Sequence, residues 1–229
     1  MDLGLTSEAI RAGLILYILL FASLILRAFA QAWLGDFLGD PTPRDEGRVT
    51  LYPVPHVDLL GTVVLPLLCI FYLQPSAARA NIYFFLAWTN PVPINPSHFA
   101  NPRRGFLFTQ FAGFGMSVLL ALAAAVAVGL TFQADQRTAE IFMTLIGLNA
   151  MLIVLDFLPL PPLPGGTLLR HWGWISEETY WSVARWGGLV LMIAFNMPPV
   201  RFAFAVMVAV VQIPFIKLYE LVAAASGGL

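Results

Sequence analysis

Long stretches of apolar residues without charge most limit how this chain can fold. Residues 105–132 contain no charged side chain, and residues 12–34 contain only Arg27. About 20 consecutive apolar residues are enough to cross the hydrocarbon core of a bilayer as an α-helix. Charged residues make up only 11% of the chain, whereas soluble proteins carry about 25%. The sequence therefore predicts an all-α integral membrane protein that crosses the membrane several times.

The apolar pattern predicts about six transmembrane helices in a single integral membrane domain covering residues 1–229. Long segments are predicted to form the core helices, at residues about 12–34, 105–132 and 139–158. Shorter segments are predicted to form accessory helices, at residues about 59–73, 180–196 and 202–218. The polar segments between them are rich in glycine and proline. They predict a short β ribbon near residues 47–51 and proline-rich loops at one face of the bundle.

Charge and cysteine content exclude several classes of function. The formal net charge is -1 and no run of basic residues occurs, so nucleic acid is not an expected partner. Cys69 is the only cysteine, which excludes an intrachain disulfide and a cysteine-based zinc site. The histidines, His56, His98 and His171, lie in predicted loops or at the membrane interface and are far apart in sequence. No cofactor is expected from these features.

Two segments of the predicted core helices carry a resemblance to a known family. The first is Arg27-Ala28-Phe29-Ala30-Gln31, and the second is the proline-rich run from Asp156 to Gly166. The chain resembles the site-2 protease family of intramembrane zinc proteases. Members of that family carry His-Glu-x-x-His on an early membrane helix and Asn-x-x-Pro-x-x-x-Leu-Asp-Gly-Gly on a later one. Further segments resemble the family in the same order: Gly39-Asp40-Pro41-Thr42, Gly47-Arg48, His56-Val57-Asp58, Asn90 to Pro96 and Asn101 to Gly105. The resemblance implies a site-2 protease-like helical bundle.

The residues that would perform the family's chemistry are substituted in this chain. The family's two histidines and its aspartate bind zinc, and its glutamate is the base that activates water. At those positions this chain has Arg27, Ala28, Gln31 and Pro164. A guanidinium group stays protonated, and a methyl group cannot accept a proton. The resemblance therefore predicts no catalytic residues, no bound metal and no enzymatic activity.

Other departures from the family pattern place a second charge in the membrane. Asp156 stands where the family usually has asparagine, and Phe114 and Ser117 stand where it has proline and asparagine. An unpaired charge inside a bilayer is unfavourable by roughly several kcal/mol. We predict that an Arg27–Asp156 ion pair, supported by Gln31, replaces the metal as the link between helices. The alternative is that Arg27 extends to the interface while Asp156 caps a helix end or meets water.

These features predict a catalytically inactive site-2 protease homologue, a pseudoprotease. It would act as a membrane scaffold, an assembly factor or a structural subunit of a larger membrane complex. The expected partners are other membrane proteins, bound through transmembrane helices, and lipid, and the expected location is the bacterial inner membrane. The extended segment with Asn90, Pro91, Pro93 and Asn95 is a candidate contact for a peptide or partner, because the resemblance places such a segment near the substrate.

Two other functions remain open from the sequence. One is an intramembrane metalloprotease with an unconventional metal site, for which His56, Asp58 and Asp156 are the first candidate ligands. It predicts bound metal and an activity that a chelator removes. The other is a transporter or channel, suggested by charges and broken helices within the membrane. It predicts a continuous polar path across the bundle, although few intramembrane polar residues are present to line one.

Overall fold

The computed structural model describes residues 6–73, 87–132 and 135–226. Its α-helices in chain order are α1 (Ser7–Phe37), α2 (Thr42–Asp45), α3 (Leu65–Leu68), α4 (Pro102–Thr131), α5 (Gln136–Phe157), α6 (Pro164–His171), α7 (Glu177–Ala184), α8 (Gly187–Ala194) and α9 (Pro198–Ala225). Short 3-10 helices lie at Val54–His56 and Pro96–His98, and π-helices lie at Leu59–Val64 and Cys69–Leu73. Within the described residues, four helices are long and apolar enough to cross a membrane, namely α1, α4, α5 and α9.

Polar side chains determine where the core helices begin. Thr6, Asn101 and Asp135 stand directly before α1, α4 and α5, and each side chain accepts a hydrogen bond from a backbone N–H in the first turn. Pro102 opens α4, at a position where its missing N–H has no partner to lose. Because the first turn of a helix leaves backbone donors unpaired, these caps fix the helix starts at the edges of the apolar stretches.

The core of the bundle consists of α1, α4 and α5. Gly35 near the end of α1 lies against Thr109 near the start of α4, so these two helices are antiparallel. Ser23 of α1 accepts a hydrogen bond from Asn149 of α5, and these two helices run in the same direction. We call the end of the bundle where α1 and α5 end and α4 begins the loop face. The opposite end, where α1 and α5 begin, is the far face.

Small side chains allow α9 to pack closely against α4 and α5. Membrane helices approach one another closely where small residues line the contact. The shared cluster contains residues that are at most 5% exposed: Ala121, Ala124, Ala125, Val128, Ile146, Ile153 and Phe215. Gly129, near the end of α4, packs against Val222 of α9. The end of α9 therefore also lies at the far face.

The outer side of α9 is apolar and exposed. Phe202, Val206 and Val210 are 73%, 46% and 58% exposed. A continuous apolar surface of this kind is unusual on a soluble monomer, whereas lipid tails are its natural surroundings in a membrane. The exposed face of α9 agrees with the predicted all-α membrane protein.

Two of the predicted accessory helices are divided into shorter helical segments. The segment predicted as one helix at 180–196 is divided into α7 and α8, each of 8 residues, and neither could cross a membrane alone. Gly187 and Gly188 follow the break, and glycine is about 1 kcal/mol less favourable than alanine in a helix. The segment at 59–73 is a π–α–π succession around Pro66, because proline removes a donor from the regular hydrogen-bond ladder.

The β ribbon predicted near residues 47–51 is not formed. Residues 36–58 are all described and contain no strand. Instead, Arg48 donates a hydrogen bond to the carbonyl oxygen of Pro55, and Nε2 of His56 lies 2.9 Å from the carbonyl oxygen of Thr50. Side chains thus satisfy the backbone of this loop, and Pro53 and Pro55 have no N–H to contribute to a strand ladder.

Candidate functional site

Arg27 extends from α1 into the space between α4 and α5. Its Nη2 atom lies 2.7 Å from Oδ1 and 2.9 Å from Oδ2 of Asp156 on α5. Its Nη1 atom donates to the carbonyl oxygen of Gly113 at 3.0 Å and to Oγ of Ser117 at 2.5 Å, both on α4. A single guanidinium group therefore joins all three core helices.

The Arg27–Asp156 pair is shielded from solvent and lies within the membrane-spanning part of α1. The two side chains are 15% and 5% exposed. Arg27 precedes Phe37, the last residue of α1, by about 15 Å at the usual helical rise of 1.5 Å per residue. Its guanidinium points into the bundle and does not extend to the interface. Each charge is thus balanced by the other at a depth where an unpaired charge is unfavourable.

Ser117 and Gly113 of α4 both contribute to this cluster. Ser117 is fully buried, and its hydroxyl oxygen accepts a hydrogen bond from Arg27. A Cβ atom at Gly113 would lie 3.3 Å from Nη2 of Arg27, so the glycine makes room for the guanidinium. Sequence reasoning missed the part that Ser117 plays. Its signal was the spacing of Thr109, Gly113 and Ser117, which places them on one face of α4.

Aromatic side chains link α4 and α5 beside the ion pair. Phe157, the neighbour of Asp156, packs edge-to-face against Phe114 with ring centroids 5.2 Å apart. Phe111 lies 5.8 Å from the same Phe157 ring. Aromatic pairs of this geometry contribute about 0.5–1.5 kcal/mol beyond their buried area. Phe114 therefore adds an apolar contact between the two helices that Arg27 also joins.

The other positions at which the sequence predicts loss of the family's ligands and base do not support the ion pair. Ala28 is 4% exposed and packs in the core. Gln31 makes no hydrogen bond to Arg27 or Asp156 in the described part of the chain, contrary to the support predicted for it. Gly113 and Ser117 on α4 accept from Nη1 of Arg27 instead, because the guanidinium is directed away from its own helix. Pro164 opens α6, at a position that tolerates proline.

Gly165 and Gly166 are required by close backbone packing. A Cβ atom at Gly165 would meet the carbonyl oxygen of Leu158, and a Cβ atom at Gly166 would meet the backbone of Pro161. The proline-rich run folds back over the start of α6 at backbone contact distance. The presence of both glycines therefore follows from the fold alone and does not require a bound metal.

The histidines lie apart, and those in the loops have other partners. His56 is fully buried and is bonded to a backbone carbonyl oxygen, while Asp58 caps the π-helix that follows it. Nδ1 of His98 lies 2.8 Å from Oδ1 of Asp40. Among residues 6–73, 87–132 and 135–226, no three His, Cys, Asp or Glu side chains come together in an arrangement that could hold a metal ion. The geometry of the described residues does not provide a conventional metal centre.

Asp40 fastens the loop after α1 to the segment before α4. It is fully buried, and its carboxylate accepts hydrogen bonds from the backbone N–H and the hydroxyl of Thr42 and from the backbone N–H of Asn95. Burial by itself raises the pKa of Asp40, but the hydrogen bonds from His98, Thr42 and Asn95 together lower it below its ordinary value. The ionised carboxylate is therefore an anchor for the loop face.

The segment predicted to contact a peptide or partner is held by internal hydrogen bonds. Nδ2 of Asn90 donates to the carbonyl oxygen of Val57 at 2.8 Å, and the side chain of Asn95 caps the following 3-10 helix. Pro91 is exposed and Pro93 is half-buried. The asparagine side chains thus hold the loops together, and mainly the proline surfaces remain open to a partner.

Polar side chains of α1, α4 and α5 contact one another in the centre of the bundle, but these contacts do not extend to the far face. Toward the far face, the last polar contact joins Nδ2 of Asn149 to Oγ of Ser23 at 3.2 Å. Beyond this contact lie the buried apolar side chains of Leu16, Leu20 and Val128, which are at most 2% exposed, and the next polar groups belong to a separate cavity at the far face. A solute path across the membrane needs polar groups along its length. The described residues do not supply the continuous path that a transporter would require.

The fold and the site define a helical membrane protein whose core helices are joined by a buried ion pair. The chain is 28% identical over 163 residues to a Bacillus subtilis (strain 168) protein named "Putative zinc metalloprotease YwhC". That alignment covers 68% of this chain and 67% of the relative. No family model and no solved structure matches the chain. The chain is therefore similar in sequence to a protein that is named as a metalloprotease.

Proposed function

We propose that this protein is a catalytically inactive relative of the site-2 proteases in which the Arg27–Asp156 pair takes the place of the metal. The observation that carries the proposal is the position of the Arg27 guanidinium, which makes its hydrogen bonds to α4 and α5. In the site-2 protease pattern, a zinc-binding histidine stands at this position. A guanidinium is permanently protonated, so it cannot ligate a divalent cation and repels one nearby.

The absence of a base supports the same proposal. A zinc protease needs a carboxylate that takes a proton from the metal-bound water. Ala28 stands at that position and is buried in the core. The Asp156 carboxylate, which is the nearest acid to Arg27, is already bonded through both oxygens. Hydrolysis through the ancestral site is therefore absent in this proposal.

The role left to such a protein is structural. It acts as a membrane scaffold, an assembly factor or a structural subunit of a larger membrane complex. The exposed apolar side of α9, with Phe202, Val206 and Val210, offers a lateral surface for helices of other membrane proteins or for lipid. The bacterial inner membrane is its proposed location, in line with a relative from Bacillus subtilis.

A metalloprotease with an unconventional metal site is the second candidate, favoured by the name of that relative. Its first candidate ligands are His56, Asp58 and Asp156. Asp58 acts as a helix cap and Asp156 is paired with Arg27. His56 contacts a backbone carbonyl oxygen through Nε2, and its buried Nδ1 atom has no hydrogen-bond partner among the described residues. Metal binding by the two aspartates would require the chain to give up their contacts, which ranks this candidate second.

Metal content separates the two candidates. The full chain is purified in a mild detergent and its zinc and iron are measured by elemental analysis against protein concentration. The Bacillus subtilis relative is prepared in the same way for comparison. For this chain we expect less than about a tenth of an equivalent of metal per protein molecule, whereas a functional zinc site approaches one equivalent. Near-stoichiometric metal, together with peptide cleavage that a chelator abolishes, would contradict the proposal.

The structural role has a separate test. Membranes that contain the chain are solubilised gently, and its native size is compared with that of the purified chain of 25.1 kDa in the same micelle. A subunit or scaffold should migrate in a larger assembly. Replacing Phe202 and Val210 with alanine should shift it toward the size of the isolated chain. An unchanged monomeric size in native membranes would contradict the subunit role.

A further inference from the structure

A cavity of about 650 Å³ lies between α1, α5 and α9 near the far face, at the opposite end of the bundle from the Arg27 cluster. Its volume is in the range typical of small-molecule sites, roughly 300–1,000 Å³. Glu8 and Ala12 line it from α1, and Glu140 and Thr144 line it from α5. Because residues four apart lie on one side of a helix, a single face of each helix borders the cavity.

The rim of the cavity carries charges of both signs. Glu8 and Arg11 lie in the first turns of α1, and Arg137 and Glu140 lie in the first turns of α5. All four side chains belong to exposed residues, and none forms an ion pair with any described residue. The rim therefore offers two guanidinium groups and two carboxylates to a ligand and has no net charge.

The interior of the cavity has an apolar wall and is about as deep as one leaflet. Leu16 and Ile146 are buried at its inner end. Leu16 follows Glu8 by two turns of α1, which is about 12 Å, and one leaflet contributes about 15 Å of hydrocarbon. Gln212 of α9 also lines the cavity, and its amide forms no hydrogen bond to another described residue. A polar group without a partner is unfavourable in such surroundings.

We infer that this cavity binds one phospholipid with a zwitterionic, primary-ammonium headgroup of the phosphatidylethanolamine type. The phosphate lies between Arg11 and Arg137, whose planar guanidinium groups suit bidentate contacts with phosphate oxygens. The ammonium group donates hydrogen bonds to the carboxylates of Glu8 and Glu140. One acyl chain follows the apolar wall, and the amide of Gln212 donates to an ester carbonyl oxygen.

The charge pattern selects this occupant. An anionic lipid without an ammonium group leaves the two carboxylates unpaired, and a quaternary ammonium has no N–H to donate. A lipid whose headgroup carries both a phosphate and a primary ammonium group meets both requirements.

Native mass spectrometry of the full chain in detergent tests the inference. The chain is stripped of lipid by extended washing and titrated separately with dioleoyl phosphatidylethanolamine, phosphatidylcholine and phosphatidylglycerol. We expect one retained phosphatidylethanolamine per chain, bound about tenfold more tightly than the other two lipids. The combined change Arg11→Gln and Arg137→Gln should weaken phosphatidylethanolamine binding about tenfold or more, since both charge-assisted phosphate contacts are lost.

Two further variants separate the headgroup contacts from a general loss of charge. Glu8→Gln with Glu140→Gln should remove the preference for phosphatidylethanolamine over phosphatidylcholine and keep binding of both. Arg104→Gln with Arg201→Gln removes two exposed arginines outside the cavity and should leave lipid binding unchanged. Equal affinity for the three lipids would overturn the inference. An equal loss of phosphatidylethanolamine binding in both arginine double variants would also overturn it. Co-purification of a partner helix in place of lipid would have the same consequence. Each variant must keep the unfolding temperature of the parent chain.

Discussion

Replacing one member of the Arg27–Asp156 pair should destabilise the bundle far more than replacing both. Arg27→Met retains an unbranched side chain that packs in apolar surroundings, and Asp156→Asn retains the shape of the side chain without its charge. At 15% and 5% exposure the side chains form a buried pair. Loss of one partner of a buried pair costs about 3–5 kcal/mol, and replacement of both is often close to neutral. If the double change costs about 2 kcal/mol, the interaction energy is about 4–8 kcal/mol.

Unfolding in mixed micelles measures this interaction energy. The chain in dodecylmaltoside is titrated with sodium dodecyl sulfate, and the fluorescence of its 6 tryptophans reports the free energy of unfolding for the parent and the three variants. The exposed Arg44–Asp36 pair, in which the arginine side chain is 70% exposed, is the matched control. Its interaction energy should be only about 0–1 kcal/mol. Additive losses for Arg27 and Asp156 would refute the link between helices.

Three further predictions, two of them with a matched control variant, test other contacts of the fold. Ser117→Ala should lower the free energy of unfolding by about 1–3 kcal/mol, because Nη1 of Arg27 loses one of its two acceptors and keeps only the carbonyl oxygen of Gly113. Thr144→Ala, whose hydroxyl bonds only the backbone of its own helix, should cost less than about 1 kcal/mol in the same assay. Gly166→Ala should cost about 1–3 kcal/mol or more, because its Cβ meets the Pro161 backbone. A Cβ atom at Gly115 would have no neighbouring atom within 4 Å, so Gly115→Ala should be neutral or stabilising by up to about 1 kcal/mol. Thermal unfolding in detergent distinguishes these two changes, and equal effects would contradict the packing argument. The lowered pKa of Asp40 means that its carboxylate stabilises the folded chain above its unfolded pKa of about 3.9. That contribution is lost as the pH falls through the folded value. Unfolding measured from pH 7 to pH 3 should therefore show this loss in the parent chain and not in Asp40→Asn.

Local rules explain which parts of the fold could be predicted. The positions of α1, α4 and α5 follow from apolar length and from caps such as Asn101 and Asp135, which act within a few residues along the chain. The predicted β ribbon was wrong because its backbone is satisfied by the side chains of Arg48 and His56. Those contacts depend on how the loop folds back, and no local pattern indicates them.

The sequence by itself determined that this chain is a helical membrane protein and that the charge of Arg27 within an apolar segment needs a partner. These conclusions depend only on the length of apolar segments and on the unfavourable free energy of an unpaired charge in a bilayer. The tertiary structure alone decided that Gly113 and Ser117, rather than Gln31, complete the contacts of Arg27. The partners of a buried charge are set by the packing of helices that are distant in sequence. The sequence shows that a buried charge requires partners, and only the packed helices show which residues are those partners.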